Sequence, residues 1–130
     1  MPVTVEIDAA AKIVYSRFTG VLNDAGFRAA VADLAKHPGF NAAFSHIIDF
    51  SGVTAYKISA NFTRAFAQEK PLFKREAKQV IVAPQTHVFG MARMAQILRE
   101  RQLPNIQVVR SLAEARAILG IKQPDRAVSR

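Results

Sequence analysis

Hydrophobic and polar residues alternate at the start of the chain. Val3, Val5 and Ile7 are separated by polar residues, a period of two that is typical of a strand with one face in solvent. Residues 13–18 read IVYSRF and predict a second strand, which Gly20 is expected to end. The short connection between the two segments predicts an antiparallel hairpin.

Four later segments have the spacing of amphipathic helices. The first carries Phe27 and Leu34 on one face and is expected to end at the His-Pro-Gly sequence of residues 37–39, because proline lacks a backbone donor. Pro71 is expected to kink or divide the second helix, and Gly120 is suited to the end of the fourth. The candidate N-caps, in chain order, are Asn23 or Asp24, Ser59 or Asn61, Thr86, and Ser111 with Glu114 in a capping box.

Three short apolar runs lie between these helices. Residues 46–50, 79–83 and 106–109 read as buried parallel strands, the first ending at the Ser-Gly pair of residues 51–52. The predicted order is β-β-α-β-α-β-α-β-α. Strands that alternate with helices form a mostly parallel sheet, so the sequence predicts an α/β fold with an N-terminal antiparallel hairpin and helices packed on the sheet.

Length and composition set the class of protein. The chain of 130 residues predicts one domain, over residues 1–121, followed by a polar tail over residues 122–130. The absence of cysteine excludes disulfides, thiolate metal sites and cysteine nucleophiles. The first ten residues do not resemble a signal peptide, and no apolar run is long enough to span a bilayer, so we expect a cytoplasmic protein.

The net charge of +8 is the unusual feature of the composition. It suggests an acidic partner, such as nucleic acid, anionic lipid or an acidic protein. Lys70, Lys74, Arg75 and Lys78 form the densest basic cluster, whereas Arg99 and Arg101 have a local role near the end of the third helix. No nucleic-acid-binding motif or basic stripe is present, so specific binding to nucleic acid is not predicted.

The whole chain from about residue 3 to 121 resembles the SpoIIAA-like family of small bacterial STAS and SEC14-type domains. The resemblance is carried by the sequence DFSGVT at residues 49–54, by a helix that begins near Ser59, and by VVRSLAEA at residues 108–115. It implies the α/β fold described above and a regulatory role through contact with a protein partner. SEC14-type relatives carry lipids, which implies a cavity as the alternative.

Ser59 is the candidate switch residue. In the anti-sigma-factor antagonists of the STAS group a hydroxyl residue of this loop is phosphorylated, and Asp49, Ser51, Val53 and Ser59 fall on the group's pattern. A phosphate at a helix start meets free backbone amides, and Lys57 would add a favourable charge. The alternative interpretation is an ordinary N-cap serine.

No catalytic residue, metal site or cofactor site is predicted. Asp49, Ser51 and His87 are a conceivable hydrolase triad near strand ends, but Ser51 lacks the nucleophile elbow and no Gly-rich segment supplies an oxyanion hole. The three histidines lack metal-ligand spacing, and no phosphate-binding glycine loop occurs.

The aromatic residues after Ser59 have two interpretations. They are ordinary core, or they line a lipid or small-molecule cavity of a few hundred Å³ under the second helix. Together with the basic cluster on a continuing helix, Phe66 and Phe73 also make a segment suited to an anionic membrane surface. The residues concerned are Phe62, Phe66, Leu72, Phe73, Phe89, Met91 and Met94.

The preferred functional hypothesis is a non-enzymatic protein that acts through protein–protein contact or regulation. The alternative is a carrier of a lipid or small apolar molecule. A homodimer, through the edge strand of the hairpin or through exposed aromatic residues, is a further hypothesis. The candidate interaction or switch residues are Asp49, Ser51, Lys57, Ser59, Phe62, Phe66, Lys70, Phe73 and Lys74.

Overall fold

The computed structural model describes residues 3–121, and the predicted tail lies outside this range. The predicted α/β class and order of elements are confirmed. No helix within the described range is long and apolar enough to cross a membrane. The elements are β1 (Val3–Asp8), β2 (Ile13–Asn23), α1 (Asp24–Lys36), β3 (Ser45–Lys57), α2 (Ala60–Ala67), β4 (Gln79–Val82), α3 (Thr86–Arg99), β5 (Ile106–Val109) and α4 (Leu112–Leu119).

The five strands form one mixed sheet in the order β1-β2-β3-β4-β5. β1 and β2 are antiparallel, as the hairpin prediction required, and the remaining pairs are parallel. The hairpin turn is closed by Asp8, whose carboxylate accepts a hydrogen bond from the Ala11 amide at 3.0 Å. Asp8 thus supplies the side-chain hydrogen bond to the turn that the neighbouring alanines cannot make.

The two faces of the sheet carry different layers of helices. On one face, residues such as Phe18, Phe50 and Ile81 pack in a cluster that includes Ala30 of α1 and Ala92 of α3. On the other face, side chains of β3, β4 and β5 pack against α4. The second cluster consists of Ile47, Val80, Val82, Val109 and Ala115, with half-buried side chains of α4 around them. The sheet therefore separates a large core from a small one.

Two strand boundaries differ from the prediction. β2 continues through Gly20 to Asn23, and β3 continues through residues 51–52 to Lys57. The two strands pair along this extension with register shifts after Arg17 and after Gly20, which has a φ of +72°. Glycine adopts this left-handed conformation without strain, so the strand can bend here instead of ending. Asp49 and Ser51 consequently lie within a strand and not at its end.

The second helix ends before it reaches the basic cluster. α2 ends at Ala67, and residues 70–78 form an irregular loop. Pro71 explains this end, because it removes a backbone donor and disfavours helical conformation in Lys70. The predicted helical stripe of Lys70, Lys74 and Lys78 is therefore wrong, although all three side chains are exposed.

The helix caps follow the sequence signals with two corrections. Asn23, Ser59 and Ser111 are N-caps whose side chains accept hydrogen bonds from backbone amides of the first turn. The predicted cap of α3 is wrong, because Gln85 holds that position without a side-chain hydrogen bond. In the capping box, the Glu114 carboxylate accepts from the amide of Arg110, one residue before the expected one.

Candidate functional site

A cavity of about 150 Å³ lies between the sheet and helices α1, α2 and α3. Its walls are mainly apolar, and every one of these helices contributes to them, as do β3, β4 and β5. The walls include Phe27, Ile48, Phe62, Phe66, Leu72 and Ile81. The cavity lies on the face of the sheet away from α4, beside the larger core.

Aromatic rings form the side of the cavity beneath α1 and α2. Phe62 and Phe66 stack with ring centroids 5.7 Å apart, as their spacing of one helical turn allows. Phe27 of α1 meets Phe66 edge to face at 5.3 Å and Phe62 at 6.1 Å. These contacts fix the two helices relative to each other and leave ring faces and edges as the lining.

Three buried polar side chains form a hydrogen-bonded row near the amino-terminal ends of the parallel strands. The Nε2 atom of His46 lies 2.8 Å from Ser16 Oγ, and its Nδ1 atom lies 3.4 Å from Gln79 Oε1. The His46 ring also stacks on Phe73 at 4.5 Å. Burial lowers the pKa of His46 from 6.5 to about 4, with a smaller opposing effect from the Gln79 hydrogen bond, so the imidazole is neutral at pH 7.

Gln79 lines the cavity with one hydrogen-bonding atom left over. The residue is 6% exposed, and its Nε2 atom finds no hydrogen-bond partner among the described residues. A buried polar atom without a partner costs about 1–3 kcal/mol, so it is uncommon in native cores. An occupant of the cavity is one way to satisfy it.

Arg99, the last residue of α3, also lines the cavity and is 6% exposed. Its guanidinium donates to the Glu69 carbonyl oxygen at 2.6 Å and to Gln102 Oε1 at 2.7 Å. The same group lies over the Phe66 ring, 5.0 Å from its centroid. Burial lowers the pKa of Arg99, and the charge of Glu69 partly opposes this shift.

An exposed ion pair joins α1 to the end of α2 beside the cavity. Arg28 makes a bidentate contact with the Glu69 carboxylate at 2.7 and 2.8 Å. This hydrogen bonding raises the pKa of Arg28 and lowers that of Glu69. The Arg28 guanidinium also lies 5.1 and 5.5 Å from the ring centroids of Phe62 and Phe66. The pair thus covers the outer faces of the rings that line the cavity.

Ser59 is engaged by a carboxylate. Its amide and hydroxyl donate to the two oxygens of Asp24 at 2.9 and 3.0 Å, while its Oγ caps the Phe62 amide. A phosphate on Ser59 would meet the negative charge of Asp24, which disfavours a phosphorylation switch at this helix end. Lys57 is exposed nearby at the end of β3.

The other predicted site residues lie in three places. Phe62, Phe66 and Phe73 line the cavity together, although Phe73 is 7% exposed and belongs to the core. Lys70 and Lys74 lie on the loop that follows α2.

Asp49 and Ser51 occupy the third place. Asp49 lines a separate small pocket with Tyr15 and Leu112, a residue of α4. Its carboxylate accepts from the Ser51 amide and hydroxyl at 2.9 and 2.5 Å and lies 3.7 Å from Arg17. His87 is exposed with its ring against Tyr56. The imagined hydrolase triad is therefore not assembled, and residues 3–121 hold no cluster of three metal-ligating side chains.

Sequence reasoning missed the polar lining of the cavity. The sequence pattern relates Arg99 to the helix dipole and places His46 and Gln79 at the start of apolar runs. The available signal was that both runs, at residues 46–50 and 79–83, open with a large polar side chain beside otherwise apolar neighbours. Such a residue at a buried strand start requires a partner across the sheet.

No protein-family model matches the chain, and a search of curated proteins finds no match.

Proposed function

We propose that this chain is a non-enzymatic binding protein that holds a small apolar molecule in the cavity between the sheet and α1–α3. The observation that carries the proposal is an apolar space of about 150 Å³ between the sheet and these three helices. A space of that size between apolar side chains accepts a single aromatic ring or a short aliphatic chain. A lipid with two acyl chains would not fit, so the proposal narrows the SEC14-like alternative to small ligands.

The energetic argument supports a bound occupant. Protein interiors are close-packed, and voids larger than a water molecule are few. The space is partly open, so when it is empty its apolar lining stays in contact with water, which is unfavourable. An occupant that fills the cavity offsets this cost, because binding to the folded state alone stabilises it.

Toluene is a suitable first probe, and cavity filling supplies the matched test. Toluene at ten times its Kd is expected to stabilise the protein by about 1.4 kcal/mol, seen as a rise in the unfolding temperature. Ala95→Leu extends a side chain into the lining and is expected to abolish that rise, whereas Ala29→Leu on the exposed side of α1 preserves it.

Two results would contradict the proposal. One is the absence of any shift with toluene in the native protein, together with native mass spectra free of any co-purified small molecule. The other is an equal toluene shift in the Ala95→Leu protein, because binding would then occur elsewhere.

A second candidate function is contact with an acidic protein partner, and the exposed basic loop favours it. We define the basic loop as residues 70–78, in which Lys70, Lys74, Arg75 and Lys78 are all exposed. Its test is affinity capture with the native protein and with the Lys70→Glu/Lys74→Glu variant. A partner held by this surface is expected to be lost from the variant and at high salt, and equal recovery from both proteins would contradict the idea.

A further inference from the structure

We infer that the cavity's occupant is a small apolar monocarboxylic acid whose carboxylate is bound by Arg99, with Gln79 as a second donor. This inference rests on the proposed function and adds the chemical class of the ligand. It is carried by a buried cation and an unsatisfied amide that share one end of an otherwise apolar space.

The first step is the charge of Arg99. An arginine stays protonated in proteins, so the guanidinium in the cavity wall carries a full positive charge. Arg99 belongs neither to the Arg17–Asp49 ion pair nor to the Arg28–Glu69 ion pair. Its hydrogen-bond acceptors are the carbonyl oxygens of Glu69 and Gln102, which carry no net charge.

The balance of charges around Arg99 also favours a negatively charged ligand. The cluster at this end of the cavity holds two guanidinium groups, Arg28 and Arg99, and one carboxylate, Glu69. That carboxylate is already held by both nitrogens of Arg28. One further negative charge inside the cavity would balance the cluster, and buried charges are rarely left without an ionic partner.

The second step is the free donor on Gln79. Its Nε2 atom is buried and unpartnered among the described residues, while its Oε1 atom is engaged by His46. The orientation leaves an N–H group that requires an acceptor. A carboxylate has two oxygens, so one can accept from the Arg99 guanidinium and the other from Gln79.

The fold brings the two donors to the same end of the cavity. Gln79 is the first residue of β4 and pairs with Ile106, the first residue of β5. The Ile106 carbonyl accepts from Gln96 Nε2 at 2.8 Å, and Gln96 lies one helical turn before Arg99 on α3. The last turn of α3 is therefore tied to the sheet beside Gln79. The rest of the lining is apolar, which limits the ligand to one polar group.

The probe ligands are 3-phenylpropanoate and its neutral amide, which match in size and differ in charge. By calorimetry at pH 7 the acid is expected to bind the native protein about tenfold more tightly than the amide, the effect of one charge-assisted hydrogen-bonded pair. Arg99→Gln is expected to remove this preference and leave amide binding in place. Arg101→Gln, exposed just after α3, is the matched control and keeps the preference.

Gln79→Met provides a second variant in case the Arg99 substitution prevents folding. Methionine has similar size and no donor, so acid binding is expected to weaken about threefold or more, although the substitution also removes the Oε1 acceptor of His46. Equal affinities of acid and amide, with toluene still bound, would overturn the ligand class and leave the proposed function intact. No binding of toluene, amide or acid would overturn both.

Discussion

His46 is held as a neutral imidazole by its surroundings at the floor of the cavity. Ser16 and Gln79 engage its two ring nitrogens, and Phe73 covers one face of the ring. None of these partners carries a charge that would stabilise the protonated form. Protonation would therefore place an uncompensated charge in the core, which connects this residue to the pH dependence of stability.

The direction of that dependence follows from the two pKa values. Unfolded histidine binds a proton below about pH 6.5, whereas folded His46 does so only below about pH 4. Between these values the unfolded state binds more protons, so the free energy of unfolding decreases as pH falls, by about 3 kcal/mol in total. Above pH 6.5 the contribution no longer changes. Urea unfolding as a function of pH measures the slope.

His46→Gln is expected to remove this part of the slope between pH 6.5 and 4. His87→Gln is the control, because His87 is exposed and its replacement leaves the buried imidazole in place. If His46→Gln and the native protein lost stability equally over this pH range, His46 would have to be solvated or charged in the folded state.

At the scale of elements, the long pair of β2 and β3 is the framework on which the site is built. The pair continues past a bend where Gly52 crosses Thr19. A Cβ atom on Gly52 would lie 2.8 Å from Thr19 Cγ2 and 3.1 Å from the Phe18 carbonyl oxygen, so the backbones approach too closely for a side chain. The glycine is required by this contact, not by a special backbone angle.

Gly52→Ala is therefore expected to destabilise the protein by about 1–3 kcal/mol, since the overlap must be relieved by moving a strand. Gly90→Ala is the matched control in mid-α3, where an added Cβ meets nothing within 4 Å. That change is expected to stabilise by up to about 1 kcal/mol, because alanine favours helix over glycine. Urea midpoints give both values, and equal effects of the two changes would contradict the close approach.

The same elements show how far local sequence patterns determine structure. Residues close together in the sequence determine some elements, and the sequence predicts these correctly. They are the hairpin, the parallel strands and the helix caps at Asn23, Ser59 and Ser111. The extension of β3 to Lys57 depends on pairing with β2, which no local pattern encodes. The sequence predicts the cavity only as an alternative. It does not predict the polar end of the cavity, because that end depends on the packing of the last turn of α3 beside β4.

At the scale of the whole molecule, part of the excess positive charge lies beside the cavity. The basic loop presents exposed cations, while Leu72 and Phe73 of the same loop line the cavity. The amide of Lys74 donates to the Ala42 carbonyl oxygen at 2.8 Å, which fixes the loop at the amino-terminal end of the parallel strands. The segment that would attract an acidic surface thus also forms a wall of the proposed binding site.

This arrangement leads to a prediction about anionic membranes as a source of apolar ligands. The native protein is expected to sediment with phosphatidylglycerol vesicles at low salt, to be released at high salt, and to ignore phosphatidylcholine vesicles. Lys74→Glu is expected to weaken the binding about tenfold or more, because it reverses one of the charges next to the cavity.

Lys57→Glu is the matched control, since it changes the net charge equally at the carboxyl end of β3, the opposite end of the sheet. Equal weakening by the two variants would mean that the net charge of +8 acts as a whole and that the basic loop has no special place. A selective effect of Lys74→Glu would instead connect the charge to the cavity. Binding to neutral and anionic vesicles alike would exclude electrostatic attraction, and the loop's apolar side chains would then have to make the contact.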